Sequence, residues 1–492
     1  MSMTEGQSPN TPPSPIGIAD ANLPADSGLS GLGLIMSLTG ALFLIMALGM
    51  GTLMMFTMML AGGNLRGAGT ILLIALAVIT TSSLRSWAHR AAGQRLLYDG
   101  PGTPRSAMQR YYLLSAVQTL VILLCMGSQH VPSKILGLVA VMLVGWPVAL
   151  AIALASARYR ALLDQQTIPQ GDDKGFEGAS ILMVVLGLTG LLFGVVMAIS
   201  TLQQISGIMR HESFLGFSLI AIVTMMIIRS SFHVRAGLRG VLEVHRDRAV
   251  EAVAKYSNSA VLAGAVICGL FFLMLLTSSG GHVDGAAVLV GLVTLVFLMW
   301  GLSAWPLLVK RFFVERQFAD LLVTQGATHT RAPDRGLTTL GWLLFGQAVM
   351  ALSMTLPALL STPMDPDNYE RARDPISQMF STFQMTGRAQ WWSIGAAALQ
   401  LVASWQLIRM RPNHKMLVTI WSVAAALIAV YINYPMLKMM TRGGLDGVFR
   451  GGEALLSNLS FMSVAISLIA PIATLVLVNR KQRELPTAVL HR

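Results

Sequence analysis

The chain of 492 residues is 54% hydrophobic and only 12% charged, with a mean hydropathy of +0.63, whereas soluble domains carry about 25% charged residues. So few charges cannot cover a water-soluble globule, which means that lipid must replace water over much of the exterior. The net charge of +12 does not indicate nucleic-acid binding, because the basic residues fall between hydrophobic segments, as in membrane proteins.

Residues 1–30 form the first segment, which is rich in Pro, Ser and Asn and contains no Lys or Arg. A cleavable signal peptide begins with a positively charged region, so we interpret this segment as an uncleaved, disordered cytoplasmic tail. The excess of Arg over Lys, together with abundant Ala, Gly and Leu, is typical of a GC-rich bacterial genome. We therefore expect a bacterial protein.

Twelve hydrophobic segments follow, and each is long enough to cross a membrane, which takes about 20 apolar residues. The first is long enough to tilt or to extend beyond the bilayer. The predicted spans are 31–61, 67–84, 111–128, 135–157, 178–205, 214–228, 257–277, 285–309, 337–360, 390–408, 416–437 and 457–478. The sequence therefore predicts an all-α, polytopic integral membrane protein.

The distribution of Lys and Arg predicts the orientation of these spans. With the N-terminus in the cytoplasm, the inward connections hold 26 Lys and Arg residues and the outward connections hold 9. Cytoplasmic loops carry the excess of positive charge. We therefore expect a multipass protein of the cytoplasmic (inner) membrane with an even number of spans and with both termini in the cytoplasm.

The chain also resembles itself. Residues 85–95 and 229–239 share six identities in eleven positions, which include an Arg, a His and a second Arg in each copy. Residues 38–43 (LTGALF) resemble 188–193 (LTGLLF), and a Trp-Pro pair ends both stretches. A third copy is weaker, with Leu-Leu-Phe-Gly at 343–346 and Ala-Pro in place of Trp-Pro.

Repeats at a fixed period indicate repeated structural units. We predict three four-helix repeats, of which the third is divergent, followed by a cytoplasmic tail; the ranges are 31–165, 175–325, 333–480 and 481–492. Common twelve-helix transporters are built from two halves of six, which a period of four does not match. Pro147, Pro306 and Pro471 lie in the fourth helix of each unit. Each removes one backbone hydrogen bond, so we expect a bend there.

With these boundaries, ionisable residues lie only at span ends, which disfavours a proton-coupled pump. Polar residues do enter the spans, and we expect them to form hydrogen bonds between helices rather than to line a substrate path. They are Gln118, Gln203, Gln204, Gln347, Gln400, Asn433 and Asn458. The sequence offers no catalytic motif, cofactor motif or metal-ligand spacing. For the acidic outward loop 361–389 we favour a solvated cap over a calcium site.

The repeated basic motifs are the candidate site. On a helix, the Arg, His and second Arg share one sector, so the motifs would present a stripe to anionic lipid headgroups at the cytoplasmic face. The residues are Arg85, His89 and Arg95 in the first copy and Arg229, His233 and Arg239 in the second. The alternatives are that the arginines only set orientation, or that they hold a phosphate-bearing ligand between the units. For the histidines, an interfacial role is favoured over haem or metal ligation.

Three classes of function remain open. The first is a non-enzymatic membrane component, meaning a scaffold or a subunit of a complex with other membrane proteins. It explains the missing catalytic motifs. The alternative is a transporter, channel or lipid-handling protein with a path between the three repeats. A membrane enzyme ranks last, because no His, Asp, Glu and Cys residues cluster at one membrane face.

Overall fold

A computed structural model of the protein is nearly all helical. It describes residues 28–60, 65–97, 101–128, 133–165, 176–211, 213–242, 246–278, 285–314, 336–360, 387–409, 411–442, 468 and 470–479. The helices are α1 (Leu29–Leu60), α2 (Leu65–Leu97), α3 (Pro104–Ser128), α4 (Ser133–Ala153), α5 (Ala157–Leu163), α6 (Phe176–His211), α7 (Ser213–Leu242), α8 (Arg246–Ser278), α9 (Gly285–Val314), α10 (Leu337–Leu360), α11 (Gly387–Ile408), α12 (His414–Arg442) and α13 (Ala470–Asn479). Residues 1–27 and 481–492 of the predicted tails, most of loop 361–389 and residues 457–467 of the last predicted span lie outside the described residues, and α1 begins at Leu29, inside the predicted first tail.

Among the described residues, seven helices are long and apolar enough to cross a membrane. Their apolar stretches are Leu29–Gly49, Pro104–Ser128, Gly178–Ile199, Gly216–Val241, Arg248–Met274, Leu337–Thr355 and His414–Tyr431. Large apolar side chains on these helices point outward, such as Leu113, Leu262 and Leu427, each about two-thirds exposed. These features identify a helical multipass membrane protein, as predicted. The count of twelve spans stays a prediction.

The basic motifs lie on helices that continue from two short predicted spans, as expected. The spans 67–84 and 214–228 continue without a break as α2 to Leu97 and as α7 to Leu242. The apolar stretch Gly216–Val241 therefore contains Arg229 and His233, which differs from the expectation that ionisable residues lie only at span ends. The helices continue because intrahelical backbone hydrogen bonds do not depend on side-chain polarity.

Successive helices pack against each other within each predicted unit, most extensively α1 with α2 and α6 with α7. Glycine permits this close approach. A Cβ on Gly93 of α2 would overlap the backbone of Ser37 on α1, and a Cβ on Gly237 of α7 would overlap that of Val184 on α6. Small residues are the usual means of close helix packing in lipid, where apolar surface alone gives little driving force.

The first helices of the three predicted units, α1, α6 and α10, contact one another near their N-termini. Gly31 of α1 and Gly178 of α6 both lie against Thr339 of α10. Two of these helices start in the same way: Gly28 before α1 and Gly336 before α10 have φ of 74° and 78°, a region that favours glycine. The three helices therefore converge on a shared centre at this end of the bundle.

Each of these first helices also packs against the last helix of a different predicted unit. Helix α1 contacts α9, and α10 contacts α4. Ile181 of α6 shares a buried cluster with Leu477 and Val478 of α13. The first helix of unit one thus packs on unit two, that of unit two on unit three, and that of unit three on unit one. Each predicted unit thus buries part of its apolar surface against a neighbouring unit.

Candidate functional site

Arg85 on α2 binds a carbonyl that a proline has left without a partner. Pro147 has no N–H, so the carbonyl of Leu143, one turn earlier in α4, lacks its helical hydrogen bond. Arg85 Nη2 donates to that carbonyl oxygen at 3.0 Å, and Nη1 donates to Gln118 Oε1 at 2.8 Å. Gln118 Nε2 in turn donates to Ser82 Oγ at 2.7 Å. The guanidinium thus replaces the backbone donor that the proline removes.

The same arrangement occurs a second time. Pro306 in α9 leaves the carbonyl of Leu302 without its N–H partner, and Arg229 Nη2 of α7 donates to that carbonyl. Leu302 lies three residues before Trp305, as Leu143 lies three residues before Trp146. The two arginines of the repeated motif therefore each donate to a carbonyl that a proline leaves unpaired. An unpaired carbonyl within a bilayer costs several kcal/mol, so this pairing stabilises both proline-containing helices.

His89 is buried beside the first cluster, which consists of Arg85, Gln118 and the Leu143 carbonyl. Its ring packs on Tyr111 of α3 at a centroid distance of 4.8 Å. Its Nε2 lies 3.2 Å from the hydroxyl of Thr39 on α1, and that hydroxyl donates its own proton to the carbonyl of Ile35. The hydroxyl must therefore accept from the histidine, which places the imidazole proton on Nε2.

His233 is buried beside the second cluster and is held differently. Its ring stacks on Tyr256 of α8 with a centroid distance of 4.4 Å and an angle of 3°. Trp305 Nε1 of α9 donates to His233 Nε2 at 3.1 Å. An indole N–H can only donate, so His233 Nε2 accepts and the ring proton lies on Nδ1. The two histidines thus use Nε2 in opposite senses, as a donor in His89 and as an acceptor in His233, and each is engaged by a neighbouring helix.

The third predicted unit has glutamine at this position. Gly33 of α1 lies against the Gly93 carbonyl, and Gly341 of α10 lies against the Ser404 carbonyl. If Gly33 corresponds to Gly341 and Gly93 to Ser404, then residues at equal distances along the helices also correspond. Gln400 then corresponds to His89, Gln347 to Thr39 and Ala396 to Arg85.

The pair is bonded in the same sense as His89 and Thr39. Gln400 Nε2 donates to Gln347 Oε1 at 3.1 Å and to the Leu344 carbonyl at 3.0 Å. The expectation that glutamines in the spans form hydrogen bonds between helices is confirmed for Gln118, Gln347 and Gln400. Gln203, Gln204, Asn433 and Asn458 lie outside the residues whose side chains are described.

The contacts also correct the sequence register between the first two units. The match of LTGALF with LTGLLF pairs Gly40 with Gly190. In the structure, Gly40 lies against the backbone of Arg90 and Gly187 lies against that of Val234, in each case the residue that follows the motif histidine. Gly187, three residues earlier than the sequence match, is therefore the counterpart of Gly40. The residues that touch the backbone of the neighbouring helix define this register.

Several residues of the predicted site have other surroundings. Arg95 donates to the carbonyl of Gly102 in the loop after α2, and Arg239 lies half-buried near the end of α7. Contact of any of the six motif residues with lipid headgroups stays a prediction, as do the helix bends at Pro147, Pro306 and Pro471. Within the described part of the chain, no group of three or more His, Cys, Asp or Glu side chains could hold a metal ion.

Sequence reasoning found the arginines and histidines but not their partners. Thr39, Tyr111, Tyr256 and the proline-freed carbonyls lie on other helices, and only the repeated Trp-Pro pairs hinted at the last of these. What the fold and site define is the class: a helical multipass membrane protein in which the repeated arginines and histidines hydrogen-bond to neighbouring helices. No protein-family model, no curated protein and no solved structure matches the chain.

Proposed function

We propose that this chain is a non-enzymatic component of a bacterial inner membrane, a scaffold or subunit of a membrane complex. In this proposal it has twelve spans in three four-helix units with both termini cytoplasmic. The observation that carries the proposal is the use of the buried polar groups: both proline-freed carbonyls are bound by arginine, and both motif histidines are bound by neighbouring side chains. A transport site would need such groups to be available to a substrate or proton.

The repeated contacts support the three-unit architecture. The arginine and proline pairing occurs in two units, and the histidine position is occupied by Gln400 in the third. The divergent unit keeps a hydrogen bond to its first helix but lacks the arginine. In this proposal, three such units surround α1, α6 and α10 and present a large outer surface. This is the form expected of a protein that holds others in place.

The contacts at the centre also favour a scaffold over a transporter. Thr339 fills the space that Gly31 and Gly178 leave between the first helices. Leu34, Ile181 and Leu344 pack into buried clusters around this centre. A path between the units would need polar or water-filled space at this point.

Cysteine accessibility in intact membranes separates the two functions. In a chain with Cys125 and Cys268 replaced by Ala, single cysteines would be placed at Leu34, Ile181 and Leu344, with a loop cysteine at residue 170 as the labelled control. We expect a charged, membrane-impermeant thiol reagent to label the control from the cytoplasmic side and to leave the three central positions unmodified from both sides. Rapid labelling at the centre would favour the transporter or channel and would overturn the proposal.

A second measurement addresses partners. We expect the tagged chain, expressed from its own chromosomal locus and solubilised mildly, to copurify with other membrane proteins in fixed proportion. Migration as a free monomer in every mild detergent would contradict a scaffolding role.

A further inference from the structure

A cavity separate from the arginine and histidine clusters opens at the end of the first unit where α3 begins and α4 ends. Its volume is about 350 Å³. Helix α3 contributes Arg105, Gln109 and Tyr112, the turn after α4 contributes Leu154 and Ala155, and the short helix α5 contributes Arg160. It therefore combines two guanidinium groups, an amide and a phenol with an apolar floor.

The polar side of the cavity carries two guanidinium groups, one of which is paired with a carboxylate. Asp164 forms an ion pair with Arg105 at 3.0 Å and leaves both side chains about half exposed. Arg105 is therefore held at the mouth and can still reach a ligand. Arg160 brings a second positive charge to the lining, and no acidic side chain lines the cavity. Guanidinium groups match phosphate oxygens in both charge and geometry.

The apolar side of the cavity continues into the lipid-facing surface. Ala151 lies in the lining, and Val148 and Ile152 on the same helix are 46% and 71% exposed. On α3, Leu113 and Leu120 are 65% and 58% exposed. A ligand held in the cavity by its charged end therefore has an apolar surface beside it, along α3 and α4.

The short helix α5 forms one wall of the cavity. Tyr159 of α5 is buried and its ring lies 6.2 Å from that of Trp405 on α11. Leu162 and Leu163 are also buried. This anchoring fixes the position of Arg160, which lies on the exposed side of α5. The two arginines are thus presented by separate, packed elements.

We propose that this cavity binds the phosphate of an anionic phospholipid, with the acyl chains lying along α3 and α4. The site differs from the headgroup stripe predicted from the sequence, whose residues Arg85 and Arg229 bind backbone carbonyls instead. It goes beyond the scaffold role and does not depend on it, so failure of either proposal leaves the other standing. It requires only that this end of α3 lies at a bilayer surface.

Native mass spectrometry of the full chain in detergent tests this site, with equimolar phosphatidylglycerol and phosphatidylcholine as probes. We expect retention of phosphatidylglycerol over phosphatidylcholine. The variant Arg105→Gln/Arg160→Gln should reduce this preference on the order of thirtyfold, from about 1 kcal/mol per basic residue. Arg110→Gln on the exposed face of α3 is the control for each single cavity substitution, because it removes one positive charge outside the cavity and should leave the preference unchanged.

A second variant fills the cavity without changing its charge. Ala155→Trp places a large ring in the exposed turn and should reduce phosphatidylglycerol retention as the double variant does. An equal loss of phosphatidylglycerol retention in the Arg110→Gln control would show that overall charge binds the lipid and would overturn the proposal. Unchanged phosphatidylglycerol retention in both cavity variants would overturn it as well. Displacement of the lipid by millimolar glycerol phosphate would assign the site to a soluble phosphate ester and contradict the acyl-chain contact.

Discussion

Arg229 on α7 donates a hydrogen bond to the backbone carbonyl of Leu302 on α9, the carbonyl that Pro306 leaves unpaired. Arg85 and the Leu143 carbonyl repeat this relation at 3.0 Å in the first unit. Proline is tolerated in membrane helices when another group satisfies the freed carbonyl. Here the other group is a charged side chain from a neighbouring helix, so a costly intramembrane charge and a costly unpaired carbonyl offset each other.

A double-mutant cycle tests this relation. Arg229→Met leaves the carbonyl unsatisfied and should cost about 1–3 kcal/mol of unfolding free energy. Pro306→Ala restores an N–H donor, so Arg229→Met should cost at least about 1 kcal/mol less in that background. Unfolding in mixed micelles would be followed by circular dichroism. Arg235→Met, an exposed position on the same helix, is the control. Equal costs of Arg229→Met in both backgrounds would refute the pairing.

The glutamine pair of the third unit gives a second prediction. Gln400→Leu removes the bonds to Gln347 and to the Leu344 carbonyl and should lower the unfolding free energy by about 1 kcal/mol, since such bonds between membrane helices average about 0.6 kcal/mol each. The double variant Gln400→Leu/Gln347→Leu should be more stable than the sum of the single variants predicts, because neither partner is left unpaired. Gln406→Leu, elsewhere on α11, serves as the control. Strict additivity would mean that the pair does not interact.

Glycine substitutions test the close packing of α1 with α2. Gly93→Ala brings a Cβ into the backbone of Ser37 and should destabilise the protein by about 1–3 kcal/mol. Gly127→Ala on α3 meets nothing within 4 Å and should be neutral or slightly stabilising because alanine is the better helix former. The two variants would be compared by thermal unfolding in detergent. A Gly93→Ala protein as stable as Gly127→Ala would show that the helices are farther apart than described.

Reporter fusions test the orientation. We expect fusions at residues 170 and 325 and at the C-terminus to report a cytoplasmic location, because the connections counted as inward hold 26 of the 35 Lys and Arg residues. Alkaline phosphatase and a fluorescent protein would serve as complementary reporters. A periplasmic signal at any of the three positions would change the span count and reverse every later loop.

Composition and hydrophobic pattern were sufficient to identify a helical multipass membrane protein, because exclusion of apolar segments from water depends on the residues of each segment alone. The apolar spans were predicted to end before the charged residues at 85 and 229, with the basic motifs on helical extensions, and α2 and α7 do continue to Leu97 and Leu242. Local polarity indicates where lipid contact ends, and a helix continues for as long as its own backbone bonds are formed.

Internal similarity in the sequence pointed to the arginines, the histidines and the Trp-Pro pairs, but it could not say that they meet. That relation joins α2 to α4 and α7 to α9, and it depends on which carbonyl the proline frees and which helix lies beside it. The same holds for Gln400, whose equivalence to His89 is visible only from the glycine contacts between helices. Membership of the membrane class was therefore contained in the sequence of each segment, whereas the partners of its buried polar groups were decided by how the helices pack.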